Sequence, residues 1–161
     1  MSSPRTLAEP LRTYRIGDGK GTYPVYSAEG ARLATGRWNT TGQAVIYTSE
    51  HHSTAVLEKL VRLGEMPPNQ HYIEVTIPTG ICYEEIADAT VPGWYEKNCL
   101  SARAYGARWY REQRSAILIV PSVVARLDMN VLINTQHKQF SRIKASRERA
   151  IWWDDRLFAR T

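Results

Sequence analysis

The stretch from Gly36 to Val61 constrains the fold of this 161-residue chain more than any other. A turn at residues 40–43 precedes the short apolar run Ala44–Tyr47, which predicts a β-strand. An amphipathic segment that carries Glu58 follows directly and predicts a helix. Strand-to-helix junctions are common places for functional side chains, so this unit is the first candidate for a site.

The start, the stop and the buried face of this helix can each be predicted. Thr48 and Ser49 lie between strand and helix, where a hydroxyl can accept the unpaired amides of the first turn. Gly64 follows the last apolar residue and predicts the C-terminal stop. Four apolar residues share one face at helical spacing and are expected to pack inward: Val56, Leu57, Leu60 and Val61.

Glu58 has two interpretations at this stage. It lies at the edge of the apolar face, four residues before Arg62, and helix position alone favours a surface ion pair worth roughly a few tenths of a kcal/mol. The alternative places the carboxylate at the lip of a cleft, beside the strand that carries Tyr47.

Other segments indicate the fold class. A helix is expected over residues 98–113. Four further segments have strand character: Thr13–Ile16, His71–Ile77, Ala116–Val120 and Ile151–Phe158. Of these, Ala116–Val120 is wholly apolar and predicts a central strand. Because strands and helices mix without a regular βαβ rhythm, the prediction is an α+β single compact domain with a mixed β-sheet and flanking helices. Residues 1–12 are expected to be irregular and residues 13–161 to form the domain.

Composition excludes several classes of protein. Hydrophobic residues make up 43% and charged residues 23%, as in soluble globular proteins. No apolar run approaches the roughly 20 residues of a membrane span, and residues 1–12 lack the apolar core of a signal peptide. The two cysteines, Cys82 and Cys99, have no metal-ligand spacing. We therefore expect a cytoplasmic protein without a metal site and without membrane contact.

The net charge of +5 points to an anionic ligand but does not name it. The densest basic run is Arg142–Arg149, and basic residues elsewhere are dispersed. A basic RNA-binding or RNA-cleaving protein therefore stays an alternative. The run lacks interleaved aromatic residues and the chain has no RNA-binding motif, so an anionic small molecule is favoured over direct contact with nucleic acid.

The order of several short motifs resembles the RES-domain family, the toxin half of a class of bacterial toxin–antitoxin pairs. GRWN, YTSE and a following glutamate at this spacing are specific to that pattern. The matching pieces are Tyr14-Arg15, Gly36–Asn39, Val45–Glu50, Glu58, Val120–Ser122, Asn130–Asn134, His137 and Asp155–Leu157. Thr135 stands where the family usually has a proline.

The resemblance implies a fold like that of the ADP-ribosyltransferases, with a cleft for NAD⁺. It implies cleavage of the nicotinamide–ribose bond, with NAD⁺ as a substrate and with no recycled cofactor. Phosphate or water would be the acceptor, as in an NAD⁺ phosphorylase or an NAD⁺ glycohydrolase. ADP-ribosylation of a protein, with the same cleft, is the alternative within this class.

The resemblance also implies which residues form the site. Four residues match catalytic positions: Arg37, Tyr47, Glu58 and Ser122. Four others are assigned to substrate binding: Tyr14, Arg15, Asn39 and Asn134. A carboxylate can stabilise an oxocarbenium-like ribose, arginines can hold a pyrophosphate, and a tyrosine can stack on nicotinamide. Ser122 would donate a hydrogen bond to phosphate or to the acceptor.

The resemblance implies a protein partner as well. A cognate antitoxin with a helix-turn-helix-like DNA-binding part would inhibit the protein by occluding the NAD⁺ cleft. Whether the protein also forms a homodimer is left open by the sequence.

Overall fold

A mixed β-sheet is the frame of the molecule, as seen in a computed structural model that describes residues 4–63 and 65–158. Nine strands form it within those residues: β1 Arg5–Thr6, β2 Leu11–Asp18, β3 Val45–Ser49, β4 Gln70–Ile77, β5 Cys82–Glu85, β6 Ile117–Pro121, β7 Met129–Asn134, β8 Lys144–Ala145 and β9 Arg149–Ala150. Their order is β1-β5-β6-β7-β3-β2-β4-β8, with β9 also on β4. Only β5 and β6 pair in parallel among the described strands, so the predicted mixed sheet is confirmed.

Three α-helices accompany the sheet in the described part of the chain: α1 Glu29–Leu33, α2 His52–Leu60 and α3 Leu100–Glu112. Two short 3₁₀ turns lie at Phe140–Arg142 and Asp155–Leu157. The helix expected over residues 98–113 is confirmed as α3. The described helices include none long and apolar enough to cross a membrane.

The sheet is buried on both faces, because β3, β6 and β7 each contribute apolar side chains to both. On one face β4 places Ile73, Val75 and Ile77 in a core that also contains Ile46 and Ile117. On the other face a second core gathers three indoles with apolar strand residues: Trp38, Trp94, Trp109, Leu118 and Leu132. The wholly apolar strand predicted near residues 116–120 is confirmed as β6, between β5 and β7.

The sheet splits between β2 and β3. These strands pair only at Tyr14 and Ser49, whereas β2 pairs with β4 along its whole length. Arg15 occupies the gap: its Nη1 donates to the carbonyl of Tyr47 at 3.0 Å and its Nε to that of Val25 at 2.7 Å. The guanidinium of Arg15 thus donates to the carbonyl of Tyr47, which in a continuous β2–β3 ladder would accept from a backbone amide of β2.

Helix α2 differs from its prediction in its cap and in its buried face. Thr48 and Ser49 belong to β3, where Thr48 donates to the carbonyl of Val131. The helix instead follows His51, whose side chain makes no capping bond. The helix buries Thr54 and Ala55, whose short side chains let it lie close to the sheet, while Leu57 is 43% and Val61 63% exposed. The predicted stop at Gly64 lies outside the described residues.

Two other predictions were wrong. Residues 151–158 do not form a strand; irregular chain leads into the 3₁₀ turn, which Asp154 caps by accepting from the amide of Arg156. Residues 1–12 are not irregular throughout, since Arg5–Thr6 pairs with β5 and β2 begins at Leu11. Both errors concern segments whose pairing depends on a distant partner.

Candidate active site

The carboxylate of Glu58 is fixed by two neutral donors. Ser122 Oγ donates to Glu58 Oε1 at 2.8 Å, and Asn130 Nδ2 donates to the same oxygen at 2.7 Å. Oε2 accepts no hydrogen bond from residues 4–63 or 65–158, and no ion pair with Arg62 forms there. The geometry therefore replaces the surface-pair interpretation with a half-buried carboxylate whose second oxygen can meet a ligand.

Ser122 and Asn130 hold Glu58 from neighbouring strands. Ser122 directly follows β6, is 0% exposed, and its Oγ also accepts from the amide of Ala125 at 3.0 Å. Asn130 is the second residue of β7, and its Oδ1 accepts from Ser49 Oγ at 2.7 Å. With no exposed surface, Ser122 supports the carboxylate in this state and does not line the cleft. Asn130 was not predicted; the sequence signal was its position in the Asn130–Asn134 motif.

Tyr47 lies on the same side of the sheet, two residues along β3 from Ser49. Its hydroxyl donates to Asn39 Oδ1 at 2.6 Å and accepts the amide of Trp38 at 3.1 Å. Burial raises the pKa of Tyr47 to about 12, so the phenol stays neutral at physiological pH. The ring is thus held at both ends, by the strand and by the loop that carries Arg37.

Asn39 has a structural role in this loop. It is 0% exposed, and its Nδ2 donates to the carbonyls of Ala31, Ala34 and Thr40. Its remaining acceptor is used by Tyr47. The structure therefore places Asn39 beneath the site, where it orients Tyr47 and has no surface for a substrate.

Arg37 faces a loop between β5 and α3. Its Nη1 donates to the carbonyls of Trp94 at 2.9 Å and Glu96 at 2.8 Å. The preceding Gly36 is tied to α3, since Arg103 Nε donates to its carbonyl at 2.9 Å. Gly106 permits this close packing, because a Cβ there would lie 1.9 Å from the oxygen of Trp38. The other nitrogens of Arg37 make no hydrogen bond to the described residues.

Arg15 belongs to a cluster of cations that includes Lys59 and Arg62 at the end of α2. Burial, and after it the charge of Arg62, lowers the pKa of Arg15. Burial, then Arg15 and Arg62, lowers the pKa of Lys59, which the charge of Asp18 opposes. A group of cations that repel one another favours the binding of an anion. Lys59 and Arg62 were not predicted as site residues.

Neither Tyr14 nor Asn134 hydrogen-bonds to Glu58 in the described part of the chain. The ring of Tyr14 packs edge-on against His52 at 5.8 Å and lines another cavity. Asn134 is 0% exposed, pairs with Val45 at the far end of β7, and donates to the carbonyl of Tyr110. Four residues of strand separate it from Asn130, or about 13 Å. The structure therefore does not bring Asn134 into the site.

The arrangement is suited to chemistry on an anionic, sugar-containing substrate. One oxygen of the Glu58 carboxylate is held and the other accepts no hydrogen bond from the described residues, while Lys59, the next residue of α2, belongs to the cation cluster. The described residues contain no group of three or more His, Cys, Asp or Glu side chains that could hold a metal ion.

The family model described as "RES domain" matches residues 12–154 of this sequence, which is most of the chain. The chain belongs to the RES domain family. It is 32% identical over 159 residues to "Prs ADP-ribosylating toxin" of Sphingobium sp. strain YBL2, covering 94% of this chain and 93% of that protein. It is 30% identical over 132 residues to "Toxin Res" of Photorhabdus laumondii, covering 79% and 83% respectively.

A solved structure shares the fold of this RES domain. The crystal structure of the M. tuberculosis MbcT–MbcA toxin–antitoxin complex contains a chain that matches with a TM-score of 0.68 at 14% identity. The match covers 95% of this chain and 89% of that one. At this identity the likeness concerns the fold, and it confirms the α+β class expected from the sequence.

Proposed function

We propose that this protein is a toxin that consumes NAD⁺ by breaking the nicotinamide–ribose bond. The observation that carries the proposal is Glu58, a carboxylate held through one oxygen by two neutral donors, with its other oxygen unbonded among the described residues. Neutral donors fix the position of the carboxylate without cancelling its charge, as a group that must stabilise a developing cation requires.

The chemistry would proceed at the anomeric carbon of the nicotinamide ribose. The C1′–N bond breaks and its electron pair leaves with neutral nicotinamide, so no general acid is needed. The ribose becomes oxocarbenium-like, and the charge of Glu58 stabilises it while Oε2 accepts a ribose hydroxyl. The acceptor then forms a bond to C1′ through one of its lone pairs, and the proton that it releases passes to solvent.

The cations would bind the pyrophosphate. Arg15, Lys59 and Arg62 lie together, so a doubly charged anion would relieve their mutual repulsion. Arg37 keeps guanidinium nitrogens for a charge-assisted bond, and Tyr47 offers a ring for nicotinamide to stack on. Ser122 would act through Glu58 and not on the acceptor.

Two acceptors of different kinds fit this cleft. Phosphate or water would give NAD⁺ phosphorolysis or hydrolysis, and a cationic cleft could hold phosphate as a second anion. A protein side chain would give ADP-ribosylation, which the name of the Sphingobium relative favours. The same Glu58 chemistry serves each of them.

We also propose that an antitoxin restrains the protein, as the toxin–antitoxin complex that shares its fold suggests. The cationic cleft would accept a carboxylate from the partner by the geometry that serves phosphate. A partner of this kind, with a helix-turn-helix-like DNA-binding part, would compete with NAD⁺. A non-cleavable NAD⁺ analogue should therefore weaken the complex; binding that ignores saturating analogue would contradict this mode of inhibition.

The deciding experiment incubates antitoxin-free protein with NAD⁺ and measures nicotinamide release. Parallel reactions contain buffer alone, inorganic phosphate, or a cell extract depleted of NAD⁺, and the fate of the ADP-ribose is followed by chromatography and mass spectrometry. We expect the wild type to release nicotinamide in all three reactions. Glu58→Gln should release ~10²-fold less, or none that can be detected. Intact NAD⁺ in every reaction with folded protein would refute the proposal, and RNA degradation under the same conditions would favour the RNA alternative.

A further inference from the structure

A second cavity, of about 630 Å³, opens on the far side of α2 from Glu58. It is lined by sheet residues, by the first residue of α2 and by the basic C-terminal segment: Tyr14, His52, Tyr72, Glu74, Ser146, Arg149, Ala150, Ile151 and Trp152. This size is within the range of small-molecule sites. None of Arg15, Arg37, Tyr47, Glu58 or Ser122 borders it.

Helix α2 separates this cavity from the candidate active site. His52 contacts Tyr14 and Tyr72 on the β2–β4 side, at ring distances of 5.8 and 5.3 Å. Thr54 and Glu58 instead bond to Asp128 and Asn130, on the β7 side. His52 and Glu58 thus leave the helix in different directions, and the two openings have different walls.

The walls of the cavity are aromatic. Tyr14, His52 and Tyr72 form a continuous edge-to-face cluster. Trp152 borders the opening with 81% of its surface exposed. An exposed indole beside a cavity offers a flat face on which a planar ring can stack.

One cation, Arg149, and one carboxylate, Glu74, line the cavity, and two further cations lie on the same face of the sheet. Arg149 lies opposite Tyr72 in the register of β9 and β4. Arg12 and Lys144 both lie opposite Thr76, so their side chains share the face that carries Glu74. Glu74 is the carboxylate of this cavity, 3.7 Å from Arg12 Nε and 36% exposed. The basic run noted in the sequence thus has, in three dimensions, the aromatic neighbours that it lacks along the chain.

We infer that this cavity binds a nucleotide, distinct from the NAD⁺ bound at Glu58. The base would stack on Trp152 beside Tyr72, the phosphate would meet Arg149 with Lys144 at the rim, and Glu74 would accept from an exocyclic amine or a ribose hydroxyl. A planar ring joined to an anion matches aromatic walls that include the cation Arg149. The nucleotide could be free or part of a single strand, because both present the same chemistry.

The test measures binding of adenosine monophosphate to the full-length protein by isothermal titration calorimetry. Saturable binding is expected at millimolar ligand or below, with Trp152→Ala and Arg149→Gln each weakening it roughly tenfold, as for loss of one stacking or phosphate contact. Arg147→Gln is the matched control, since Arg147 is exposed in the same run but does not line the cavity. Trp152 and Arg149 are exposed, so both variants should fold, which circular dichroism verifies.

Further measurements separate this inference from the proposed NAD⁺ activity and identify the source of the nucleotide. Arg37→Ala should leave binding of the monophosphate unchanged, and Arg149→Gln should leave nicotinamide release unchanged. A short adenine oligonucleotide competing at the same site with higher affinity would indicate a strand, and weaker competition a free nucleotide. Absence of saturable binding would overturn the inference. The inference would also be overturned if Arg147→Gln weakened binding of the monophosphate as much as Arg149→Gln does. Loss of that binding in Arg37→Ala alone would overturn it as well.

Discussion

Asn130 Nδ2 donates to Glu58 Oε1 at 2.7 Å, although 72 residues separate the two in the chain. Ser49 holds the other end of the same amide, so β3 and β7 together set the position of a carboxylate on α2. A site built on paired strands is stiffer than one built on loops, and small changes in it should alter rate before they alter affinity.

Replacing Glu58 with glutamine tests the charge of the carboxylate. Glutamine keeps the size and an oxygen that can accept from Ser122 and Asn130, but it cannot stabilise an oxocarbenium ion. We expect turnover of NAD⁺ to fall by ~10²-fold or more, with little change in KM or Tm. Steady-state nicotinamide release and thermal unfolding measure the two effects. Unchanged turnover per folded molecule would mean that the charge of Glu58 has no catalytic role.

Replacing Asn130 with aspartate places a second carboxylate against Glu58. Two carboxylates at hydrogen-bond distance repel each other, so the attractive contact of Asn130 with Glu58 becomes a repulsive one and Glu58 is displaced. We expect nicotinamide release to fall by ~10²-fold or more, because the carboxylate no longer lies where the cation develops. Asn130→Ala is the control: it removes the donor without adding a charge, so steady-state turnover should fall less.

Replacing Arg62 with glutamine tests the cation cluster. The change removes one cation from beside Arg15 and Lys59, so the site should attract anions less strongly. We expect KM for NAD⁺ to rise several-fold, and the increase in Tm caused by pyrophosphate to shrink. Arg111→Gln, at an exposed position on α3, should change neither. An unchanged response to pyrophosphate in Arg62→Gln would place the anion elsewhere.

Replacing Tyr47 with phenylalanine removes the hydroxyl that joins Asn39 to Trp38. The buried Oδ1 of Asn39 would lose its partner, so we expect about 1–3 kcal/mol less free energy of unfolding at pH 7. Burial raises the pKa of Tyr47 to about 12, so the wild type loses stability between pH ~10 and ~12, where only the unfolded chain has released this proton. The difference in free energy of unfolding between the wild type and Tyr47→Phe, measured with urea, should therefore become smaller as the pH rises through that range.

The sequence by itself determined the local elements around Glu58. Alternation in β4, the apolar run of β6 and the helical spacing of α2 and α3 depend on neighbours in the chain, so periodicity predicted them. The motifs from Gly36 to Glu58 also indicated the family and half of the candidate residues. The predicted helix cap at Thr48 and Ser49 was wrong because both hydroxyls donate to residues of β7 instead. Local periodicity does not reveal pairing with a distant strand.

Only the tertiary structure decided which polar residues meet. Asn130 and Asn134 are equivalent by alternation, yet the register of β3 with β7 brings the first to Glu58 and leaves the second about 13 Å away. Asn39 was expected to touch substrate and instead lies buried under Tyr47. The reason is physical: alternation fixes the face on which a side chain lies, whereas strand pairing and burial fix its neighbours and its access to solvent.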